Sequence, residues 1–117
     1  MCGMAWGSIE VEPEVEQWLD ALDADEFGQV AFYIDLLAER GVELGEPYTR
    51  QLAGKLRELR FYLGRDRMRI SYYIASGRRI ILLTVFRKTQ RQERGEVGRA
   101  ERAMKRCIAE GHTAEEE

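Results

Sequence analysis

Between residues 55 and 86 apolar and polar positions alternate. Leu59, Phe61 and Leu63 are separated by Arg60 and Tyr62 and preceded by Glu58, the period of a half-buried strand. Gly64-Arg65-Asp66 supplies a turn, after which Met68, Ile70, Tyr72 and Ile74 alternate with Arg67, Arg69, Ser71 and Tyr73. A second turn follows at Ser76-Gly77. Residues 80–86 are then apolar at nearly every position, as in a strand buried on both faces. Two hairpins in succession predict an antiparallel meander. Upstream the period is helical. Pro13 suits a first helical turn, where its missing N–H costs nothing, and Val15, Trp18, Leu19 and Leu22 follow at helical spacing. Asp23 with Glu26 three residues later has the form of a capping box. Phe27, Val30, Ala31, Ile34, Leu37 and Ala38 mark one face of a second helix, which Gly41 is placed to end. Trp6, Ile9 and Val11 suit a short first strand, and Val97, Ala100, Met104, Cys107 and Ile108 a last helix. The order β-α-α-β-β-β-α predicts an α+β domain: a small antiparallel meander sheet with two N-terminal helices packed on one face and a C-terminal helix.

The 117 residues, 44% of them hydrophobic, suit one domain over residues 1–117, with 110–117 expected to fray as a disordered acidic tail. The apolar run at 80–86 is far too short to cross a membrane. The start, Met1-Cys2-Gly3-Met4-Ala5-Trp6, has no secretory pattern, so a cytoplasmic location is expected. Cys2 and Cys107 are then free thiols, with Cys107 on an apolar helical face. His112 is the single histidine and lies in the polar tail. This inventory offers no zinc-site spacing and no Cys–His catalytic pair, and no metal or cofactor is expected.

Charge changes the picture, because it is sorted along the chain. Residues 1–49 hold one basic and twelve acidic residues, a net of −11; residues 50–106 hold seventeen basic and five acidic, a net of +12. The last eleven residues carry −4, which brings the total to −3. Like charges repel, so the basic block calls for either a polyphosphate partner or the acidic third folded over it. Alternation favours the first. It places Arg60, Tyr62, Arg67, Arg69 and Tyr73 on the sheet face opposite the apolar set. Lys55 and Arg57 precede the first strand of the meander, Arg65 sits in its turn, and Arg87 and Lys88 leave its last strand toward the same region. Glu58 and Asp66 are the only acids between Arg50 and Thr89, so the cluster is read as lacking matching acids. Guanidinium groups for phosphates and aromatic rings for unpaired bases compose an RNA-binding surface. A solvated strand face is the plain alternative, and the clustering argues against it. The acids are expected on the helical hairpin behind the sheet.

The stretches Lys55-Leu56-Arg57-Glu58-Leu59-Arg60-Phe61 and Met68-Arg69-Ile70-Ser71-Tyr72-Tyr73, then residues 80–86 followed by Arg87-Lys88-Thr89-Gln90, carry a family likeness. Their order and spacing resemble the HigB-like, phage-derived branch of the RelE/ParE toxin superfamily, across nearly the whole chain. The chain departs from that pattern at Arg87, where the family often has lysine, and at Arg91-Gln92, where it often has Thr-Pro. The resemblance implies a RelE-like fold and the toxin half of a type II toxin–antitoxin module. Such toxins cut mRNA on the translating ribosome without a metal, the RNA's own 2′-OH attacking the adjacent phosphate. It carries catalytic roles onto Arg60, Arg69, Arg87 and Lys88. Arginines there would stabilise the phosphorane, and Lys88, with Lys55 behind it, would serve as general base. Lys55, Arg57, Tyr62, Arg65, Arg67 and Tyr73 are the expected RNA-binding residues, Tyr62 or Tyr73 stacking on a base. The implied partners are a helix-turn-helix (HigA-like) antitoxin, mRNA and the ribosome, with no membrane. ParE-type relatives share the fold and act on DNA gyrase, so a gyrase inhibitor and a catalytically inactive RNA-binding domain are the alternatives.

Overall fold

The computed structural model describes residues 5–89 and 93–111. Its elements are β1 (Ser8–Val11), α1 (Pro13–Asp20), α2 (Ala24–Arg40), β2 (Thr49–Ala53), β3 (Leu56–Leu63), β4 (Asp66–Ala75), β5 (Arg79–Arg87) and α3 (Glu93–Ala109), with a 3-10 turn at Gly41–Glu43. Cys2, Gln90, Arg91, Gln92, His112 and the acidic residues of 115–117 lie outside the described residues.

The strands form one sheet in the order β1-β5-β4-β3-β2. β2 to β5 pair antiparallel, as the alternation predicts for the meander. β1 pairs parallel to β5, so the sheet is mixed. The intervening helices carry the chain across the sheet and back, which a parallel neighbour requires. β2 is an addition to the predicted order. Its sequence, Thr-Arg-Gln-Leu-Ala, shows no apolar alternation, and it is an edge strand held by backbone pairing to β3.

Alternation divides the core. On one face Leu59, Phe61, Ile70, Tyr72, Ile80 and Leu82 pack with Val15 of α1 and with Val30 and Leu37 of α2. On the other, Leu56, Tyr73, Ile81 and Leu83 pack under Ala100, Ala103 and Cys107 of α3. Each large apolar side chain taken fully out of water contributes roughly 1.5–3 kcal/mol, so the two clusters hold the three layers together. Phe27, read from its spacing as an inner residue, is exposed.

The helix ends form as the sequence predicts. Pro13 opens α1, and Asp23 and Glu26 cap α2 reciprocally: the Asp23 carboxylate accepts from the Glu26 N–H at 2.8 Å, and the Glu26 carboxylate accepts from the Asp23 N–H at 3.1 Å. Gly41 ends α2 at a φ of 54°, and a Cβ there would lie 2.1 Å from the Trp6 ring. Only glycine satisfies both conditions.

The acidic hairpin packs behind the sheet and meets the basic block along the β5 edge. Glu10 pairs with Arg79 at 2.6 and 2.7 Å, which holds the Arg79 guanidinium above its ordinary pKa. Where β1 stops, the Glu14 carboxylate accepts from the Val85 N–H at 3.0 Å and Arg99 donates to the Val85 carbonyl at 3.2 Å. Glu14 and Arg99 are themselves bonded at 2.5 Å, so one ion pair from α1 and α3 finishes a strand edge.

Candidate nucleic-acid interface

On the α3 side, cross-strand register sets the side chains of β3, β4 and β5 in three rows beyond the helix. Glu58, Ser71 and Thr84 form the first. Arg60, Arg69 and Phe86 form the second. Tyr62 and Arg67 form the third, which Lys88 joins because its N–H donates to the Arg67 carbonyl at 2.7 Å. The rows grade from dry to wet. Ser71 and Thr84 are buried and share a 2.5 Å hydrogen bond, Arg69 is buried at 5% exposure, and Tyr62 and Arg67 are exposed.

Arg60 and Arg69 stand directly opposite one another, an arrangement that repels. Glu58 offsets it. Its carboxylate, 3% exposed as a residue, lies 3.6 Å from Arg69 Nε and 3.8 Å from Arg60 Nε. The expectation of arginines without a matching acid is therefore corrected: one buried carboxylate serves two guanidiniums. It neutralises only one of the two charges, and Arg67 and Lys88 add more, so the open rows stay cationic. Arg69 Nη1 also donates to the Met68 carbonyl at 3.0 Å, which fixes its fork. Arg60 keeps a buried Nε with no hydrogen-bond partner among the described residues. A buried donor left unsatisfied is costly, and the Glu58 carboxylate 3.8 Å away offsets that cost by charge alone.

Beside these rows the edge of β3 has no further strand paired to it among the described residues. The last backbone contact from the β2 side is the Arg60 N–H donating to the Tyr48 carbonyl at 2.8 Å. From there a cleft of about 330 Å³ wraps the strand edge, lined by Tyr33, Tyr48, Phe61 and Tyr62 together with Arg60, Arg67 and Arg69. Tyr33 and Tyr48 had no place in the sequence reading of the site. Tyr33 carried a signal, since it lies three residues after Val30 and four before Leu37, both inward on α2.

Arg60, Arg69, Tyr62, Arg67 and Lys88 thus come together, with Arg65 exposed in the adjoining turn. Other expected members do not join them. Tyr73 is on the correct face but buried under α3, its hydroxyl donating to Cys107 Sγ at 3.4 Å. Arg57 falls on the helix face because β3 begins at Leu56, not at Leu59. There it donates to the Tyr72 hydroxyl at 3.4 Å and to Thr49 Oγ1 at 3.2 Å, as part of the core. Burial holds the Tyr72 hydroxyl above its ordinary pKa, against the downward pull of Arg57. Arg87 is in register with Met68, on the helix face, and pairs with Asp66 at 3.6 Å. Lys55 occupies the β2–β3 turn at the other end of β3, five residue steps, about 17 Å, from Arg60. Among the described residues no three His, Cys, Asp or Glu side chains gather to hold a metal ion, and no helix is long and apolar enough to cross a membrane.

Residues 17–105 match the family described as Phage derived protein Gp49-like (DUF891). The chain belongs to this family. No curated relative matches this Gp49-like chain. Its fold is similar to that of the E. coli toxin RelE, solved in the free state as a double arginine-to-alanine mutant: identity 16%, TM-score 0.59, covering 88% of this chain and 98% of that one. It is also similar to a chain of the archaeal RelE–RelB complex from Pyrococcus horikoshii OT3: identity 18%, TM-score 0.53, covering 72% and 97%. Family and fold together make this a Gp49-like protein with a RelE-like fold.

Proposed function

We propose that this protein is the toxin of a type II toxin–antitoxin module, a HigB-like endonuclease that cuts mRNA on the ribosome and so blocks translation in the cytoplasm. The observation that carries the reading is the paired Arg60 and Arg69, braced by one buried carboxylate, on a sheet face that the exposed Tyr62 and Arg67 continue into solvent. In the cleavage step the RNA 2′-oxygen bonds to phosphorus and the bond from phosphorus to the 5′-oxygen breaks. The products are a 2′,3′-cyclic phosphate and a 5′-hydroxyl. The 2′-OH gives up its proton, for which Lys88 is the amine on this face, and the leaving 5′-oxygen takes one up from water. The negative charge built on the phosphorane meets Arg60 and Arg69, already held in place, so little reorganisation is needed when the charge develops. No metal is required for this sequence of bonds. Tyr62 and Arg67, outermost on the face, hold the strand. A helix-turn-helix antitoxin of the HigA-like kind would mask the face; the RelE–RelB complex of similar fold supports an antitoxin partner.

The test is a reporter mRNA incubated with ribosomes and the folded protein, in the presence of a chelator. Discrete fragments ending in cyclic phosphate are expected, and their absence with the chain shown to be folded refutes the nuclease reading.

A further inference from the structure

The cleft at the free edge of β3 has two unlike walls, and the phosphate chemistry above accounts for only one. The helix-side wall is aromatic. Tyr33 stacks on Phe61 with ring centres 5.3 Å apart and planes at 20°, and Tyr48 leans on Tyr33 at 6.4 Å. Tyr33 is thereby held, while Tyr48 remains 38% exposed. The other wall carries Arg60, Arg67 and Tyr62, and no acidic side chain lines the cleft among the described residues. Between the walls runs the strand edge. The Arg60 N–H points to the β2 side, and alternation turns the N–H and C=O of Tyr62 the same way, beyond the last contact from Tyr48.

A nucleotide separates its base from its phosphate in the same manner. We propose that this cleft is a subsite for one unpaired nucleobase of the RNA, stacked on Tyr48, its phosphate on Arg60 and Arg67, its edge read by the backbone of Tyr62. The inference rests on the RNA reading of the basic face and adds to it a specificity element. The cleft volume, about 330 Å³, lies at the lower end of the roughly 300–1,000 Å³ of small-ligand sites, room for a single nucleotide. Single-stranded RNA is bound by this combination of ring faces and guanidiniums, and polar groups at the base edge supply the discrimination. A protein strand added to the same edge would need only the backbone and would draw no advantage from an arginine wall.

The test titrates the full chain, without ribosomes, with each of the four nucleoside monophosphates and with ribose 5-phosphate, following NMR chemical shifts. At least one nucleotide is expected to bind about tenfold or more tightly than ribose 5-phosphate, the scale of one stacked base. Tyr48→Leu, which keeps apolar packing on Tyr33, should bring that nucleotide down to the ribose phosphate level, and Tyr48→Phe should retain it. Nucleotides bound no more tightly than ribose 5-phosphate, or Tyr48→Leu binding like the parent, overturn the subsite and leave the free edge to a protein strand. The two readings fail separately. Tyr48-dependent nucleotide binding without mRNA cleavage keeps the subsite and removes the nuclease; cleavage with Tyr48-independent nucleotide binding removes the subsite alone.

Discussion

One face of one sheet does two different things along its length. Under α3, Tyr73, Ile81 and Leu83 are sealed against Ala100, Ala103 and Cys107, and even the Tyr73 hydroxyl is spent internally on a sulfur. Past the row of Glu58, Ser71 and Thr84 the face opens by degrees: Arg69 and Phe86 are still buried, Arg60 is partly exposed, and Tyr62 and Arg67 are exposed. Residue type alone does not separate the halves, because each holds a tyrosine on a strand of the basic meander. Cover does. A side chain becomes available to a partner only where cover ends, and the row of Arg69 and Phe86 is the last that is buried.

The comparison breaks first at Arg69. Arg69→Ala should lower cleavage by about 10²–10³-fold, the scale of losing one preorganised donor to a charged intermediate. It should also destabilise the chain, because the buried Glu58 carboxylate loses its nearer guanidinium. A fully broken buried pair costs about 3–5 kcal/mol, and a smaller loss is expected here. Denaturant unfolding beside rates on the folded fraction separates the two effects. Full activity in the variant would remove Arg69 from the open half. Leu83→Ala tests the sealed half. It should cost about 2–5 kcal/mol in unfolding and leave cleavage per folded molecule unchanged; unchanged stability would mean that α3 seals nothing. Arg67→Ala is milder. Stability should stay within about 0.5 kcal/mol, while RNA binding weakens evenly across sequences and the slope of log K against log salt falls by about one.

Alkaline unfolding sharpens the comparison further. Burial raises the pKa values of the Cys107 thiol and the Tyr72 hydroxyl above their ordinary ranges. Each stays protonated in the folded chain at a pH where the unfolded chain has released its proton. The stability they contribute is full below the unfolded pKa, about 8.5 for cysteine and about 10 for tyrosine, and is lost as pH rises through the folded values. The thermal midpoint should therefore decline above about pH 8.5, and Cys107→Ala should remove the first part of that decline.

Alternation made β3 and β4 readable, and with them the shared face of Arg60, Tyr62, Arg67 and Arg69. The capping box and the glycine end of α2 were equally plain, since both are local chemistry. What the pattern does not carry is the extent of each strand and what lies over it. Arg57 looked like a residue before the strand, and three more residues of β3 put it in register with Leu59 and Phe61. β5 is apolar throughout, so its alternation is silent, and the register shift beside Ser71 sends Arg87 to the helix face. Tyr73 shows its face in the sequence but not the helix above it. Glu58 reads as an isolated acid until pairing sets it beside two arginines.

The central claim is that the open half of the face, and not positive charge in general, meets the RNA. A charge-matched pair tests it most directly. Arg67→Glu and Lys55→Glu change the net charge by the same amount, one in the open rows and one in the turn at the far end of β3. In mRNA cleavage on ribosomes, Arg67→Glu should fall severely while Lys55→Glu stays near the parent rate. Equal losses in the two would show that bulk charge, and not this face, brings the RNA in.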